Sequence, residues 1–258
     1  MNIGLIGVGA IGRFLIQEVN DHKAIEGCAI TALLDERARS NVPSKDKTLP
    51  IYTEVAPFVD SGIDLCCEAS TVEAARIYVP ELLSRGCSVV LSSVGCLADP
   101  EFYQVVQRRC REGNALLYVP SGAIAGLDAI QAASYRGNLH HVSITSRKPS
   151  HALGADNGQT EVLFQGSAID AIQAFPRNVN SAVALSLAGM GPYLTQVTVL
   201  AVASLQHNEH TIVAEGDFGA MEITVQNRPM EDNPKTSFLA ALSVLGMIRK
   251  LNNPVRIG

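Results

Sequence analysis

The first half of the chain alternates between two hydrophobic patterns. Short apolar runs typical of β-strands are followed by stretches in which apolar residues recur at helical spacing. The predicted strands lie at 2–6, 29–34, 64–68, 88–91 and 115–119, and the predicted helices at 13–19, 72–84 and 100–112. Strands that alternate with helices in this way predict a parallel sheet with crossover helices.

The second half has a different pattern, which begins after a small, glycine-rich stretch at 120–128. Its predicted strands lie at 141–146, 161–165, 196–203, 211–215 and 220–225, and its predicted helices at 168–175 and 181–188. This order predicts an α+β domain with a mostly antiparallel sheet. We therefore predict a first domain over 1–122, a substrate-binding, catalytic and oligomerisation domain over 123–233, and a last helix over 234–258 that packs back on the first domain.

Three glycines follow the first predicted strand and open the first predicted helix. Gly7 can form the tight turn, Gly9 lets a pyrophosphate approach the backbone, and Gly12 lets helix and strand pack closely. The N–H groups of Ala10 and Ile11 then lie at the helix N-terminus, which favours an anion. This arrangement predicts an α/β, Rossmann-type doubly wound parallel sheet that binds a dinucleotide. The alternative is a glycine-rich surface turn.

Further candidate cofactor contacts lie at the ends of later strands. Asp35 ends the second strand, 23 positions after the last of these glycines, where an acid accepts hydrogen bonds from the adenosine ribose. NAD is therefore favoured, although Arg37 and Arg39 can hold the 2′-phosphate of NADP, and Asp35 can also be a solvated carboxylate. Ala69 and Ser70 follow another strand and leave room for a cofactor.

Composition narrows the class of protein. The 258 residues are 47% hydrophobic and 17% charged, with a net charge of −5, which argues against nucleic-acid binding. No apolar stretch approaches the roughly 20 residues of a membrane span, and the N-terminus does not resemble a signal peptide. The six cysteines form no C-x-x-C pair, so we expect reduced thiols, no metal and a cytoplasmic location.

Titratable and polar residues at 205–210 interrupt two strand patterns, which predicts a loop beside the second sheet. A histidine there can exchange protons near neutral pH. Metal ligation by His207 and His210 is a competing interpretation, but no further ligand lies at suitable spacing. A surface loop with two histidines is another. Asn180 can cap a helix, or its amide can bind a carboxamide or a substrate group.

Two lysines are candidates for binding substrate carboxylates. Lys148 lies just past a predicted strand, and Lys235 lies at the start of the last predicted helix. Each can instead be a solvated surface cation. His207 and Asn208 are further candidates for substrate binding.

The sequence contains motifs at 7–12, 120–124, 126–128, 175–180, 207–210 and 233–237. Together these motifs resemble those of the L-aspartate dehydrogenase family, and they occur in the family's order over nearly the whole chain. P-S-G-A-I and F-P-R-N-x-N carry most of the specificity, because generic dinucleotide-binding proteins lack them. Ala125 departs from the glycine expected in some relatives.

The resemblance implies an NAD(P)-dependent enzyme that oxidises L-aspartate to iminosuccinate. This product hydrolyses to oxaloacetate and ammonia or feeds NAD biosynthesis. The family's catalytic histidine falls on His210, and its cofactor contacts fall on Ala123 and Asn180. Oxidation is a hydride transfer from the aspartate Cα to nicotinamide, with His210 as acid and base.

Two other functions remain open at this point. One is another two-domain NAD(P)-dependent reductase, similar to dihydrodipicolinate reductase or homoserine dehydrogenase. The other is a non-catalytic NAD-binding sensor. The apolar sheet of the second domain is typical of a homodimer or a larger homo-oligomer, although helices of the same chain can also cover it.

Overall fold

The computed structural model describes residues 1–35, 49–136, 138–150, 159–175 and 180–257, except the side chains of Pro234 and Lys235. The chain divides into two compact units. Unit 1 comprises Met1–Pro120 and Ala241–Ile257, and unit 2 comprises Ser121–Ala240.

Unit 1 is built on a parallel sheet. Its strands are β1 (Asn2–Ile6), β2 (Ala29–Leu34), β3 (Ile51–Tyr52), β4 (Leu65–Glu68), β5 (Ser88–Leu91) and β6 (Leu117–Tyr118). Their order is β3-β2-β1-β4-β5-β6, and every pairing between them is parallel. This is the doubly wound order, in which the direction of winding reverses between β1 and β4. The predicted fold class of the first half is confirmed.

Four α-helices of the described part of Met1–Pro120 pack with this sheet. They are α1 (Ala10–Ile16), which continues as a π-helical turn to Asp21, α2 (Val55–Asp60), α3 (Val72–Ser84) and α4 (Pro100–Gly113). The hydroxyl of Thr71 accepts a hydrogen bond from the Ala74 N–H and so caps α3. The carboxylate of Asp99 caps α4 in the same way. Neither β3 nor α2 is among the predicted elements, because two strand residues and six helical residues are too few to set a period.

Unit 2 is built on a mixed sheet. Its elements are α5 (Leu127–Ser134), β7 (Leu139–Pro149), β8 (Glu161–Ser167), α6 (Ala168–Ala174), α7 (Asn180–Ala188), β9 (Gln196–Val202), β10 (Asn208–Gly216), β11 (Gly219–Asn227), β12 (Pro229–Met230) and β13 (Asn233–Ser237). The sheet order is β11-β10-β7-β9-β8, in which only the β7–β9 pair of these strands is parallel. This confirms the predicted mostly antiparallel sheet.

One face of the unit 2 sheet is apolar along most of its length. Buried residues on this face alternate with half-buried residues along most of β7, β9 and β10, as the two-residue period of a strand requires. They include Val142, Ile144, Val197, Val199 and Ile212, and they share one core with Ile130 of α5, Ala171 of α6 and Leu185 of α7. This core holds the central strands in fixed register.

The last helix, α8 (Phe238–Asn252), contributes Val244 and Ile248 to the core of unit 1. It begins at Phe238 rather than at residue 234 as predicted. The preceding residues form β13, which pairs antiparallel with β12, so that their backbone groups bond across a hairpin instead of along a helix. Among the described residues, no helix has the length and hydrophobicity needed to span a bilayer.

Candidate active site

The glycine loop of unit 1 has the geometry that a dinucleotide needs. Gly7 has a φ of +85°, and a Cβ there would lie 2.6 Å from Cβ of Ser70. A Cβ on Gly12 would overlap the carbonyl oxygen of Gly7. A Cβ on Gly9 would meet nothing within 4 Å, so the space in front of this residue is open. Two of the glycines are thus needed for packing, and the third leaves room for a phosphate.

The remaining predicted contacts in unit 1 lie along the carboxyl edge of its sheet. Ala10 and Ile11 form the first turn of α1, whose N-terminus is not capped by a side chain. Asp35 follows β2, and its N–H donates to the carbonyl of Tyr52 at 3.1 Å. Ala69 is buried after β4, and its N–H donates to the carbonyl of Ile6. Arg37 and Arg39 lie outside the described residues.

A buried carboxylate joins two loops at the same edge. Glu68, the last residue of β4, is 0% exposed. Its Oε1 accepts hydrogen bonds from the N–H of Ser70 at 2.8 Å and from the hydroxyls of Ser70 and Ser93 at 2.7 and 2.9 Å. Its Oε2 accepts from the N–H of Ser93 at 2.8 Å. Burial raises the pKa of Glu68, and these hydrogen bonds oppose that rise.

In unit 2, the inner face of the sheet changes from apolar to polar toward one end. Ser146 and Lys148 continue the face of β7 that carries Ile144, and Asn208 and His210 lie on the matching face of β10. All four polar residues are buried. The predicted loop at 205–210 is therefore wrong at its second half, because Asn208–Gly216 pairs with β7 and β11 as a regular strand.

His210 lies at the centre of this polar end. It is directly opposite Ser146 in the β7–β10 register, and its Nδ1 lies 2.9 Å from the Ser146 hydroxyl. Only 4% of its surface is exposed. Its pKa is lowered from 6.5 to about 4, mainly by burial and also by the charge of Lys148, while Glu209 opposes the shift. The imidazole is therefore neutral at pH 7 and can accept a proton.

Lys148 supplies the cation of this cluster. It is 8% exposed, and burial lowers its pKa to about 8. Most lysine side chains keep their ammonium group in water, because burying its charge is costly. A largely protonated lysine at this position is suited to bind an anion, such as a carboxylate.

Asn208, the first residue of β10, lies directly opposite Asn227, the last residue of β11. Asn208 donates from Nδ2 to the hydroxyl of Ser237 at 3.3 Å. Asn227, directly opposite it, donates from Nδ2 to the carbonyl of Ala123 at 3.0 Å. Within the described residues, Oδ1 of Asn227 and Nε2 of His207 are buried and have no hydrogen-bond partner. Unsatisfied buried polar atoms of this kind suit a polar ligand.

The other sequence candidates fall around this cluster or outside the described residues. His207 lies in a bend just before β10, and Asn180 is the exposed first residue of α7. The part of the F-P-R-N-x-N motif at 176–179 lies outside the described residues, as does the side chain of Lys235. No group of three or more His, Cys, Asp or Glu residues in the described part of the chain is arranged to hold a metal ion.

Three residues described above were not predicted from the sequence, namely Glu68, Ser146 and Asn227. Glu68 could have been predicted, because it is a carboxylate at the end of an apolar strand. Ser146 follows Ile144 by two positions, so the strand period places it on the inner face. Asn227 had no such signal, because its importance comes from a hydrogen bond to a residue 104 positions away.

Two family models match the chain, one in each half of the sequence. A family model described as "Aspartate dehydrogenase, C-terminal" matches residues 128–251. A model described as "Homoserine dehydrogenase, NAD binding domain" matches residues 7–120. The second model is consistent with the strand order and the glycine loop of unit 1.

Full-length relatives are also similar to the chain. It is 38% identical to the L-aspartate dehydrogenase of Methanosarcina acetivorans, over 100% of this chain and 99% of the relative. It is 38% identical to the L-aspartate dehydrogenase of Archaeoglobus fulgidus, over 97% and 98%. The crystal structure of aspartate dehydrogenase from Thermotoga maritima matches with a TM-score of 0.82 and 26% identity, over 100% and 99%. The resemblance drawn from the motifs is confirmed.

Proposed function

The chain belongs to the L-aspartate dehydrogenase family, and on this premise we propose that it catalyses the reversible NAD(P)-dependent oxidative deamination of L-aspartate. The product is iminosuccinate, which water converts to oxaloacetate and ammonia. The observation that carries the proposal is the neutral, buried His210 held by Ser146 beside Lys148.

The bound nicotinamide cofactor supplies the redox chemistry, as an acceptor for the hydride lost from the aspartate Cα. The residues of unit 2 manage protons and charge. The substrate ammonium must lose a proton before its lone pair can assist the oxidation, and we assign this proton to His210. If Nδ1–H donates to the Ser146 hydroxyl, Nε2 is the acceptor. A positioned base of this kind contributes about 10²–10⁴-fold in rate.

We assign one substrate carboxylate to Lys148, because it is a buried cation on the same sheet face as His210. Lys235 remains our candidate for the other carboxylate. His207, through its unpartnered Nε2, and Asn208 are candidates for hydrogen bonds to the substrate.

Cofactor binding is assigned to both units. In unit 1 we assign the glycine loop with Ala10 and Ile11 to the phosphates, Asp35 to the adenosine ribose, and Ala69 and Ser70 to the other end of the dinucleotide. The open space at Gly9 fits a phosphate. In unit 2 we assign Ala123 and Asn180 to the nicotinamide carboxamide.

A spectrophotometric panel tests the activity. NAD or NADP is mixed with several amino acids, and the reverse reaction is measured with oxaloacetate and ammonium. We expect reduced cofactor only with L-aspartate. Cofactor binding without reduction would support a sensor and contradict the proposal, and preference for the substrate of another reductase would contradict it equally.

The role of His210 is tested with His210→Asn. We expect turnover to fall by about 10²–10⁴-fold while cofactor affinity is retained. His141→Asn is the matched control, since this half-buried histidine of β7 bonds to Ser143 away from the inner face. Turnover within a few-fold of wild type in His210→Asn would refute the assignment.

We also propose a cytoplasmic location and a homodimer or a larger homo-oligomer. All six cysteines are free thiols, which is typical of a reducing compartment. Tyr193 and Leu194 of unit 2 are 67% and 60% exposed, and large exposed apolar side chains often lie in an interface. Light scattering on the purified protein tests the assembly, and a monomer at micromolar concentration would contradict it.

A further inference from the structure

Glu68 is a fully buried carboxyl group at the end of β4, and its hydrogen-bond partners are serines. It accepts four hydrogen bonds, from the N–H and the hydroxyl of Ser70 and from the N–H and the hydroxyl of Ser93. No lysine or arginine of the described chain forms an ion pair with it. Four donors on the two carboxyl oxygens are the arrangement that an ionised carboxylate needs, and they offset the cost of burying its charge.

These four hydrogen bonds join two loops of the sheet edge. Ser70 lies in the loop after β4, and Ser93 lies in the loop after β5. The Ser70 loop also packs against the glycine loop, since a Cβ on Gly7 would lie within 3 Å of Ser70 and Ala69. Glu68 therefore links the loops after β4 and β5, and the first of these packs against the glycine loop.

The position of Glu68 in the strand order relates it to one half of a dinucleotide. In a doubly wound sheet each set of three strands binds one mononucleotide, on either side of the point where the winding reverses. Asp35, at the end of β2, belongs to the adenosine half. Glu68 ends β4, with Ile6 of β1 on one side and Leu91 of β5 on the other, so it belongs to the opposite, nicotinamide half.

We propose that Glu68 is a positioning residue of the nicotinamide half, and that its charge makes the protein bind the oxidised cofactor in preference to the reduced one. The inference rests on the proposed use of a nicotinamide cofactor. The oxidised ring carries a positive charge and the reduced ring is neutral, while the rest of the dinucleotide is the same. A fixed negative charge in a buried environment therefore favours the oxidised form, and bulk salt screens it little.

The test is the ratio of two dissociation constants, measured without any amino-acid substrate. NAD and NADH are titrated by calorimetry against the wild type, Glu68→Gln and Ser93→Ala. Glu68→Gln removes the charge at almost constant volume, whereas Ser93→Ala removes one hydrogen bond and keeps the charge. We expect Glu68→Gln to lower the preference for NAD over NADH by about tenfold, and Ser93→Ala to weaken both cofactors alike.

An unchanged ratio in a folded Glu68→Gln variant would overturn the charge role, since a merely structural residue affects both cofactors equally. If that variant does not fold, the infrared spectrum of the wild type decides. A protonated carboxylic acid band at pH 7 overturns the proposal, and its absence supports an ionised Glu68. A wild type that binds neither cofactor overturns this inference and the proposed function together. Binding without aspartate turnover refutes only the proposed function.

Discussion

The hydroxyl of Ser146 and Nδ1 of His210 lie 2.9 Å apart, on residues directly opposite each other in two antiparallel strands. Both residues are buried. Because β7 and β10 pair over most of their lengths, the distance is set by strand register rather than by a mobile loop. This relationship fixes the ring of the proposed proton acceptor and selects which of its nitrogens can exchange a proton.

Ser146→Ala should lower kcat for aspartate oxidation by about tenfold, because the ring loses the hydrogen bond that orients it. The KM for the cofactor should change little. Ser143→Ala is the matched control, since Ser143 lies on the opposite face of the same strand and bonds to His141. Equal effects of the two substitutions on kcat would contradict the orienting role.

The free energy of unfolding should depend on the protonation of His210. Its pKa in the folded protein is lowered from 6.5 to about 4, so the unfolded chain takes up the proton first as the pH falls. Stability from this residue is complete above pH 6.5 and is lost as the pH falls toward 4, by about 3 kcal/mol. Chemical denaturation of wild type and His210→Gln across this range measures the difference. Parallel curves would show that burial does not lower this pKa.

Binding of a dicarboxylate such as succinate should weaken as the pH rises through about 8, where Lys148 loses its proton. Succinate has no amine, so its own charge stays constant in this range. Lys148→Arg should keep the affinity at higher pH, because a guanidinium remains charged. The inhibition constant, measured at several pH values, reports both effects. A wild-type constant that does not change between pH 7 and 9 would contradict the assignment of Lys148.

Gly9→Ala and Gly12→Ala should have opposite consequences. Gly9 has a φ of −71° and open space before it, so alanine should change the unfolding free energy by only about 0.5 kcal/mol. Its methyl group should nevertheless obstruct the phosphates and weaken NAD binding by at least about tenfold. Gly12→Ala should cost about 1–3 kcal/mol of stability, because the methyl group overlaps the Gly7 carbonyl. Thermal denaturation and NAD titration separate the two cases, and unaltered NAD affinity in Gly9→Ala would place the phosphates elsewhere.

Asn227→Asp should raise the KM for the cofactor by about tenfold, since it replaces the donor to the Ala123 carbonyl with a second acceptor. Gln226→Ala is the matched control, because Gln226 is exposed and bonds to Glu209 on the other side of the strand. If both variants have the wild-type KM, Asn227 does not position a cofactor contact.

Local patterns were sufficient to predict the parallel sheet, the mostly antiparallel sheet and the glycine loop. Each depends on hydrophobic period or on residue types within about 12 positions. The strand that carries His210 was harder to predict, because Asn208-Glu209-His210 is a polar sequence typical of a loop. In the structure this stretch is a strand. Asn208 and His210 can be buried there because they form hydrogen bonds with Ser237 and Ser146 instead of with water.

Hydrogen bonds between elements also explain why β13, at the end of unit 2, was not predicted. Asn233-Pro-Lys-Thr-Ser237 has the residues of a helix cap, but pairing with β12 offers its backbone an alternative. Tertiary hydrogen bonds also determine the roles of Glu68 and Asn227, and these connect loops or residues far apart in the sequence. Single-sequence patterns contain no direct information about such pairs.

The return of α8 to unit 1 has a consequence for synthesis of the protein. Unit 1 is discontinuous in sequence, with unit 2 inserted between Pro120 and Ala241. The core beside Leu15 and Ile16 therefore lacks Val244 and Ile248 until the whole of unit 2 has been synthesised. Unit 2, in contrast, is one continuous segment and can condense first. The nascent unit 1 then stays incompletely packed until α8 has been made.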